Sequence, residues 1–256
     1  MKYLVIGPGA MGFFVYLGVL SKLKKEGQLE TLEEISGASA GALLGFLFCV
    51  AKGDVARMLD WSLGVPVKTI MKPQIKTLTT QYGLVPHTKV RKVLADFLQR
   101  DDITFQELYD YFPIKFHVSA YCVDYMKTTY FSVDATPHVS VLDAVCASIA
   151  IPFLFSSVRL GDSHYIDGGS AEAVPGAPFL GREKDTMCIR LAWGVPVKVR
   201  DLKTYAISIL YATMNLRANY ELPGRALEAD PDVFDFSASS ETKLRMFLKG
   251  YEQGSR

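Results

Sequence analysis

The sequence predicts an α/β fold with a large core. Short apolar runs without polar alternation, which are typical of strands buried on both faces of a sheet, alternate with longer stretches of helical character. The chain has 256 residues, of which 49% are hydrophobic and 21% are charged, a balance typical of globular proteins. We expect residues 1–256 to form a single domain, because this length suits one core.

Hydrophobic patterning defines the elements at the start of the chain. Residues 3–6 form a short apolar run that predicts a buried strand, and a glycine turn follows it. Residues 13–26 then predict a helix, and residues 34–36 predict the end of a second strand. The next helix, at residues 42–51, is apolar all round and is expected to lie in the core.

Further along the chain, helical and strand patterns continue to alternate. Residues 54–63 and 88–99 resemble amphipathic helices, and residues 64–86 between them resemble a loop. Ser140 and Asp143 have the spacing of a capping box and predict the start of another helix. The other predicted elements are strands at residues 114–121, 128–133 and 187–192, a hairpin turn at 124–127, and helices near 201–220 and 241–251.

Charge and cysteine content narrow the function classes. The formal net charge is +1, so no global field recruits nucleic acid. The four cysteines have neither C-x-x-C pairing nor a histidine at ligand spacing, which predicts buried thiols in a reducing compartment and no zinc site. They are Cys49, Cys122, Cys146 and Cys188.

The N-terminal stretch needs separate consideration, because residues 3–21 carry no charge and follow Lys2, as in a signal peptide. A Gly-Pro-Gly interruption, the absence of a small-residue cleavage pattern and a polar last turn at residues 21–27 favour a buried strand and helix instead. The sequence therefore predicts no signal peptide and no transmembrane segment. A cytoplasmic location, or one peripheral to a membrane, is expected.

The clearest candidate nucleophile is Ser39, in the motif Gly37-x-Ser39-x-Gly41 between an apolar strand and an apolar helix. A nucleophile elbow needs small neighbours so that a strained turn can present the serine. The helix that begins near Ala40 directs free N–H groups at the serine oxygen. A glycine-rich helix start with a serine N-cap explains the motif equally well.

A serine nucleophile requires a base within hydrogen-bonding distance. An apolar strand ends at Asp167, which is followed by two glycines, so its carboxylate is a candidate to accept the proton directly. An ordinary Asp-Gly turn is the alternative. A Ser-His-Asp triad is less favoured, because an α/β-hydrolase elbow normally follows several strands. The candidate histidines for such a triad are His87, His117, His138 and His164.

The glycine loop at residues 7–12 has two interpretations. Its G-x-G-x-x-G pattern between a strand and a helix is the dinucleotide fingerprint. In a Rossmann domain, however, the second strand ends in an acid that binds the ribose, whereas here that strand leads into the elbow. A loop that presents backbone N–H groups to an oxyanion accounts for both motifs together.

The glycine loop, the early elbow and the later Asp-Gly-Gly, in this order and spacing, resemble the patatin-like phospholipase family. Residues 147–152 (ASIAIP) are similar to the family's A-S-x-A-x-P helix end. Residues 234–236 and 248–251 are also similar, so the resemblance covers nearly the whole chain. One difference is Ala173, which stands where an asparagine often follows the Asp-Gly-Gly.

The resemblance implies a three-layer α/β/α fold with a central, mainly parallel sheet. It also implies a phospholipase A-type reaction that cleaves lipid acyl esters through an acyl-serine intermediate, with a lipid substrate at a membrane surface and no metal or organic cofactor. Ser39 matches the nucleophile and Asp167 matches the base of a dyad without histidine. The matching oxyanion-hole residues are Gly7, Gly9, Ala10, Gly12 and Ala40, and the motif glycines are Gly37, Gly41, Gly168 and Gly169.

Two departures from the family's glycine loop leave alternatives open. Pro8 stands where a glycine is usual, and Met11 stands where a basic residue is usual. Proline has no N–H to donate, so the oxyanion would depend on Gly9, Ala10 and Ala40. Loss of one donor costs about 2.7–4 kcal/mol in the barrier, which makes a weakened lipid-binding relative one alternative. The dinucleotide fingerprint of residues 7–12 leaves an NAD(P)-dependent oxidoreductase as a second alternative.

Residues 67–78 resemble a membrane-surface element. Lys68, Lys72 and Lys76 have i, i+4 spacing with apolar residues nearby. Pro73 argues against one straight helix, and a solvated surface with scattered lysines is the alternative. Head group, acyl position and oligomeric state are left open by the sequence.

Overall fold

The computed structural model of the protein describes residues 1–192, 222–230 and 232–254, together with Val199, Tyr205, Ser208 and Ile209. Ten strands lie in these residues. In chain order they are β1 (Tyr3–Ile6), β2 (Glu34–Ala38), β3 (Gly83–Val85), β4 (Lys115–Cys122), β5 (Lys127–Phe131), β6 (Phe153–Phe155), β7 (Val158–Leu160), β8 (Ser163–Asp167), β9 (Thr186–Ala192) and β10 (Gly224–Glu228).

Nine α-helices whose bounds fall in the described residues lie between and after these strands. In chain order they are α1 (Phe13–Lys25), α2 (Ala40–Val50), α3 (Val55–Gly64), α4 (Val67–Ile70), α5 (Ile75–Gln81), α6 (His87–Leu98), α7 (Phe105–Tyr111), α8 (Val141–Ser148) and α9 (Ser240–Gln253). None of the helices described is both long and apolar enough to cross a bilayer.

The central sheet is mainly parallel. Strands β10, β9, β1, β2 and β4 lie side by side in this order, and each neighbouring pair is parallel. Strands β5, β8 and β7 add antiparallel pairs at the β4 end of the sheet. The α/β/α fold with a central, mainly parallel sheet is therefore confirmed.

The register of β4 brings the ends of two other strands together. Strand β5 pairs with residues 118–122 of β4, so it occupies one edge of that stretch. Strands β2 and β8 share the other edge of β4. The last residue of β2, Ala38, pairs with Ser119, and the last residue of β8, Asp167, pairs with the next residue of β4, Ala120. Because β2 is parallel to β4 and β8 is antiparallel to it, the carboxyl ends of β2 and β8 meet.

Two core helices follow the predicted pattern. Helix α2 is apolar all round and is buried at every residue except Leu43, as expected for residues 42–51. Helix α1 is buried from Phe13 to Leu20, and its lysines lie in the last turn. Ser140 caps α8 by accepting a hydrogen bond from the N–H of Asp143 at 3.2 Å, as the capping pattern predicts.

The prediction of a loop at residues 64–86 is wrong. This segment contains α4, α5 and the short strand β3, which pairs with β6. Each element is too short for a hydrophobic period to be recognised, and Pro73 separates the two helices. Helix α7, which begins with a capping box at Thr104 and Glu107, was also not predicted. The helix expected near residues 201–220 falls almost wholly outside the described residues.

Candidate active site

Ser39 lies in a strained turn between β2 and α2. Its backbone has φ 54° and ψ −118°, a positive φ that costs a non-glycine residue of order 1–3 kcal/mol. The turn requires small neighbours: a Cβ on Gly37 would lie 2.5 Å from the backbone of Gly41, and a Cβ on Gly41 would lie 2.1 Å from the carbonyl oxygen of Ile6. This geometry is that of a nucleophile elbow, as the sequence motif predicts.

The elbow is held by Ser148 at the end of α8. The N–H of Ser39 donates to Ser148 Oγ over 2.9 Å, and the Ser148 hydroxyl donates to the carbonyl oxygen of Ser119 over 2.6 Å. Ser148 therefore links the elbow to β4. This role of Ser148 was not predicted from the sequence, although Ser148 lies in the ASIAIP stretch that supports the family resemblance.

Asp167 is the last residue of β8, and its carboxylate faces Ser39. The Ser39 hydroxyl donates to Asp167 Oδ2 over 2.6 Å, and the N–H of Gly169 donates to Asp167 Oδ1 over 2.7 Å. Both side chains are buried, at 5% exposure for Ser39 and 4% for Asp167. A Cβ on Gly168 would lie 2.1 Å from the Ser119 carbonyl oxygen, which explains the glycine after the aspartate.

The environment of Asp167 tunes its proton affinity. Burial raises the pKa of Asp167 to about 7, although hydrogen bonds from Ser39 and from the N–H groups of Gly169 and Ser170 favour the ionised form. A carboxylate of this pKa is half ionised near neutral pH. It is therefore suited to accept a proton at that pH and to return it later.

Two of the five predicted oxyanion donors are already engaged. The N–H of Gly7 donates to the carbonyl oxygen of Ile189 over 2.9 Å, and the N–H of Gly12 donates to the carbonyl oxygen of Gly9 over 2.7 Å. Glycine at position 12 is required by packing, since a Cβ there would lie 2.6 Å from Leu191 Cδ1. Gly7 and Gly12 thus shape the loop, and their N–H groups are not available to an oxyanion.

The remaining three predicted donors have free N–H groups. Gly9, Ala10 and Ala40 donate to no acceptor within the described residues. Ala10 and Ala40 line the same pocket as Ser39, and Ala10 has a positive φ of 46°. These three N–H groups are the candidate oxyanion hole, and Pro8 contributes none.

Tyr16 of α1 links the glycine loop to β9 through two hydrogen bonds. Its hydroxyl donates to the carbonyl oxygen of Pro8 over 2.8 Å and accepts a hydrogen bond from the N–H of Leu191 over 3.1 Å. The ring packs so closely that a Cβ on Gly9 would lie 2.8 Å from it. Tyr16 is fully buried, and no local sequence signal distinguishes it from the apolar residues around it.

Ser39 opens onto an apolar pocket of about 150 Å³. The lining side chains are apolar except for those of Ser39 and Ser62, and the buried Ser62 hydroxyl has no hydrogen-bond partner in the part of the chain described. Met11, which stands where a basic residue is usual in the family's glycine loop, lies in this lining and makes that part of the wall apolar. Other wall residues are Phe13, Leu43, Trp61, Leu94, Ile149 and Phe236.

No histidine joins the serine and aspartate in the residues described. Each of the four has another environment, which argues against the triad alternative. His87 contacts Ser156 at 2.8 Å, His117 contacts Glu34 at 2.8 Å, His164 contacts Asp124 at 3.4 Å, and His138 is exposed.

Comparison with known proteins gives a consistent result. The family model described as patatin-like phospholipase matches residues 4–180. A probable lipid hydrolase, 463L of Invertebrate iridescent virus 6, is 25% identical over 266 residues, which cover 99% of this chain and 88% of the viral protein.

Two solved structures also resemble the chain. VipD from Legionella pneumophila superimposes with a TM-score of 0.66 at 16% identity, covering 99% of this chain and 66% of VipD. ExoU of Pseudomonas aeruginosa, in its complex with SpcU, gives a TM-score of 0.48 at 16% identity, covering 99% of this chain and 50% of ExoU. The chain thus spans about two thirds of VipD and half of ExoU. At 16% identity, the similarity to VipD is evidence for the fold of this chain.

Proposed function

Since the chain belongs to the patatin-like phospholipase family, we propose that it is a lipid acyl hydrolase of phospholipase A type, which cleaves acyl esters through an acyl-serine intermediate. The observation that carries the proposal is the 2.6 Å hydrogen bond from Ser39 to Asp167 beside an apolar pocket. The name of the viral relative, a probable lipid hydrolase, agrees with this substrate class.

In the first half-reaction the acyl chain occupies the apolar pocket, with its ester carbonyl above Ser39. Asp167 accepts the hydroxyl proton while Ser39 Oγ attacks the carbonyl carbon. The negative charge that develops on the carbonyl oxygen is stabilised by the N–H groups of Gly9, Ala10 and Ala40. The bond to the alcohol then breaks, the alcohol takes the proton from Asp167, and the acyl group remains on Ser39.

In the second half-reaction water replaces the alcohol. Asp167 accepts a proton from the water as its oxygen attacks the acyl-serine carbonyl, and the same N–H groups stabilise the oxyanion. The bond to Ser39 Oγ breaks, and Asp167 returns its proton to that oxygen. A fatty acid leaves, and the serine and the carboxylate are restored.

The two alternatives from the sequence have different support. The oxidoreductase alternative is disfavoured, because the second strand ends in the elbow and the glycine loop lines an apolar pocket with Ser39. The weakened lipid-binding relative is favoured by Pro8, which removes one potential donor from the loop. The N–H groups of Ala10 and Ala40, which line the pocket with Ser39 and donate to no acceptor in the described residues, support an active enzyme instead.

The proposal is tested by hydrolysis of phosphatidylcholine dispersed in detergent and of a soluble short-chain ester. Ser39→Ala and Asp167→Asn are each expected to abolish release of fatty acid from both substrates while the melting temperature is retained, since the pair acts as one unit. The matched control is Ser132→Ala, which removes another buried serine hydroxyl, one that follows β5, accepts from the N–H of Ala135 and lies outside the pocket lining. This control is expected to keep most of the activity.

Three outcomes would count against the proposal. Fatty acid release by the Ser39→Ala protein would assign the nucleophile elsewhere. Vesicle binding by a wild-type protein that hydrolyses neither substrate would support the weakened relative. Saturable NADPH binding by that protein would support the oxidoreductase.

A further inference from the structure

The segment at residues 65–95 is strongly basic, although the whole chain has a net charge of only +1. It contains no aspartate and no glutamate. The small net charge of the chain therefore conceals a local positive field at this segment. Its basic residues are Lys68, Lys72, Lys76, Lys89, Arg91 and Lys92.

Three of these six cations are available to an external anion. Lys68, Lys72 and Lys76 are exposed, and none of them forms a salt bridge within the residues described. Arg91 differs, because Asp102 and Asp143 neutralise it at 2.9 and 2.6 Å. The three lysines thus lack internal counter-ions.

Large apolar side chains are exposed beside these lysines. Ile75 and Leu78 lie one turn apart on α5, and Tyr82 is the residue that ends this helix; Ile75 is 79% exposed. Phe153, which is 73% exposed, lies next to them, because it pairs with Gly83 between β6 and β3. Together they form an exposed apolar stripe, within which the Tyr82 ring contacts the ring of His164 edge-on, with 6.0 Å between the ring centroids.

Backbone strain supports a role for Phe153, whereas Tyr82 has the left-handed conformation of the cap that ends α5. Phe153 has a φ of 65°, a conformation that is unfavourable for bulky residues. This strain is not offset by burial of the ring, since Phe153 is 73% exposed. A strained position of this kind that persists on a surface points to a function for the side chain it holds there.

The basic and apolar residues adjoin the candidate active site. Val67, Ile70 and Met71 of the α4 region line the pocket that contains Ser39, and Phe155 of β6 lines it as well. Lys68 follows Val67 and Lys72 follows Met71 in the chain. Phe153 is two residues before Phe155. The α4 region and β6 therefore contribute to the pocket wall and also present Lys68, Lys72 and Phe153.

We infer that this surface, the docking face, binds a bilayer that contains anionic lipids and thereby brings the pocket to its substrate. The inference rests on the proposed function, which it deepens by assigning the membrane contact. The apolar side chains enter the headgroup region and the lysines pair with lipid phosphates and carboxylates. The docking face consists of Lys68, Lys72, Ile75, Lys76, Leu78, Tyr82 and Phe153.

Binding is measured with the Ser39→Ala protein, so that vesicles are not consumed. The vesicles are phosphatidylcholine alone and phosphatidylcholine with phosphatidylserine, sedimented at low and high salt. We expect binding to the anionic vesicles that weakens at high salt and is much lower on phosphatidylcholine alone. Each lysine near an anionic surface strengthens binding about fivefold.

Two variants separate the basic and apolar contributions. The triple change Lys68→Gln, Lys72→Gln and Lys76→Gln is expected to weaken binding at least tenfold and to remove its salt dependence. The double change Ile75→Ser and Phe153→Ser is expected to weaken it at least tenfold at any salt. The matched control is Leu180→Ser with Lys184→Gln, an exposed apolar residue and an exposed lysine ahead of β9, at the opposite end of the sheet.

The same docking-face changes in the otherwise wild-type protein are expected to slow hydrolysis of anionic vesicles by tenfold or more. Hydrolysis of a soluble short-chain ester should change by less than twofold, because none of these residues lines the pocket. Unchanged vesicle binding in both variants, or equal loss on both substrates, would overturn the assignment. If the protein hydrolyses neither substrate, the proposed function is contradicted. The vesicle-binding measurements still test whether the docking face binds anionic membranes, because they do not depend on hydrolysis.

Discussion

The hydroxyl of Ser39 donates directly to Oδ2 of Asp167 over 2.6 Å, and the two residues meet because β2 and β8 end against each other along one edge of β4. A parallel strand and an antiparallel strand deliver their last residues to the same place. The elbow follows β2 and the Asp-Gly-Gly turn follows β8. The direct contact between Ser39 and Asp167 therefore results from strand register, and no histidine lies between them in the described residues.

The first prediction concerns the pH dependence of activity. Burial raises the pKa of Asp167 to about 7, and only the ionised carboxylate accepts the serine proton. We expect kcat/KM for a soluble ester to rise tenfold per pH unit below about pH 6 and to level off above about pH 8. A pH profile of initial rates measures this. A profile that is flat from pH 5 to 8 would contradict the assigned base.

The second prediction concerns Tyr16 as a positioning residue. Tyr16→Phe removes the hydroxyl that links the Pro8 carbonyl to the N–H of Leu191, leaving two buried backbone groups without this partner. We expect the free energy of unfolding to fall by about 1–3 kcal/mol. We also expect kcat to fall about tenfold or more with little change in KM, because the oxyanion donors are displaced.

The control for Tyr16→Phe is Tyr109→Phe, a hydroxyl loss in α7 outside the pocket. Unfolding by urea and steady-state kinetics on the soluble ester measure the two effects. An unchanged kcat in a destabilised Tyr16→Phe protein would restrict Tyr16 to a structural role.

Several features of the site follow from local sequence, and others do not. Ser39 and Asp167 were predicted from glycine motifs, because glycines mark positions where two backbone segments approach each other closely. Tyr16 and Ser148 act through partners more than a hundred residues away, Leu191 and Ser39 respectively, so no spacing reveals them. Their roles depend on tertiary contacts alone.

The same distinction applies to the fold. Long apolar elements such as α2 were predicted because burial imposes a composition over many residues. The elements α4, α5 and β3 were missed because each is short and is stabilised by its neighbours, as in the pairing of Gly83 with Phe153. The five candidate oxyanion donors could be reduced to three only from the structure, because it shows which N–H groups already donate to a backbone carbonyl.

The third prediction concerns acid stability at the other end of β2. Burial alone would raise the pKa of Glu34, but hydrogen bonds from His117 and Arg182 outweigh it and lower this pKa to about 2. Because the ordinary value is 4.5, Glu34 contributes stability above about pH 4.5 that is lost as the pH falls towards 2. Glu34→Gln should therefore reduce stability at pH 7 by about 1–3 kcal/mol.

Urea unfolding at pH 7, 4.5 and 3 tests this expectation. The difference between wild type and Glu34→Gln should shrink as the pH falls, because the wild-type carboxylate loses its advantage. The Glu33→Gln protein is the control, since Glu33 pairs with Lys2 at an exposed position. A constant difference at all three pH values would show that Glu34 acts through packing rather than charge.

The central claim is that Ser39 is a nucleophile activated by Asp167 without a histidine, and covalent labelling by a fluorophosphonate tests it most directly. We predict stoichiometric labelling of the wild-type protein on Ser39, none of Ser39→Ala, and labelling slowed at least a hundredfold in Asp167→Asn. Alanine at His87, His117, His138 or His164 should leave labelling within a few-fold of wild type. No labelling of the folded wild-type protein, or a histidine variant as unreactive as Ser39→Ala with an unchanged melting curve, would contradict the account.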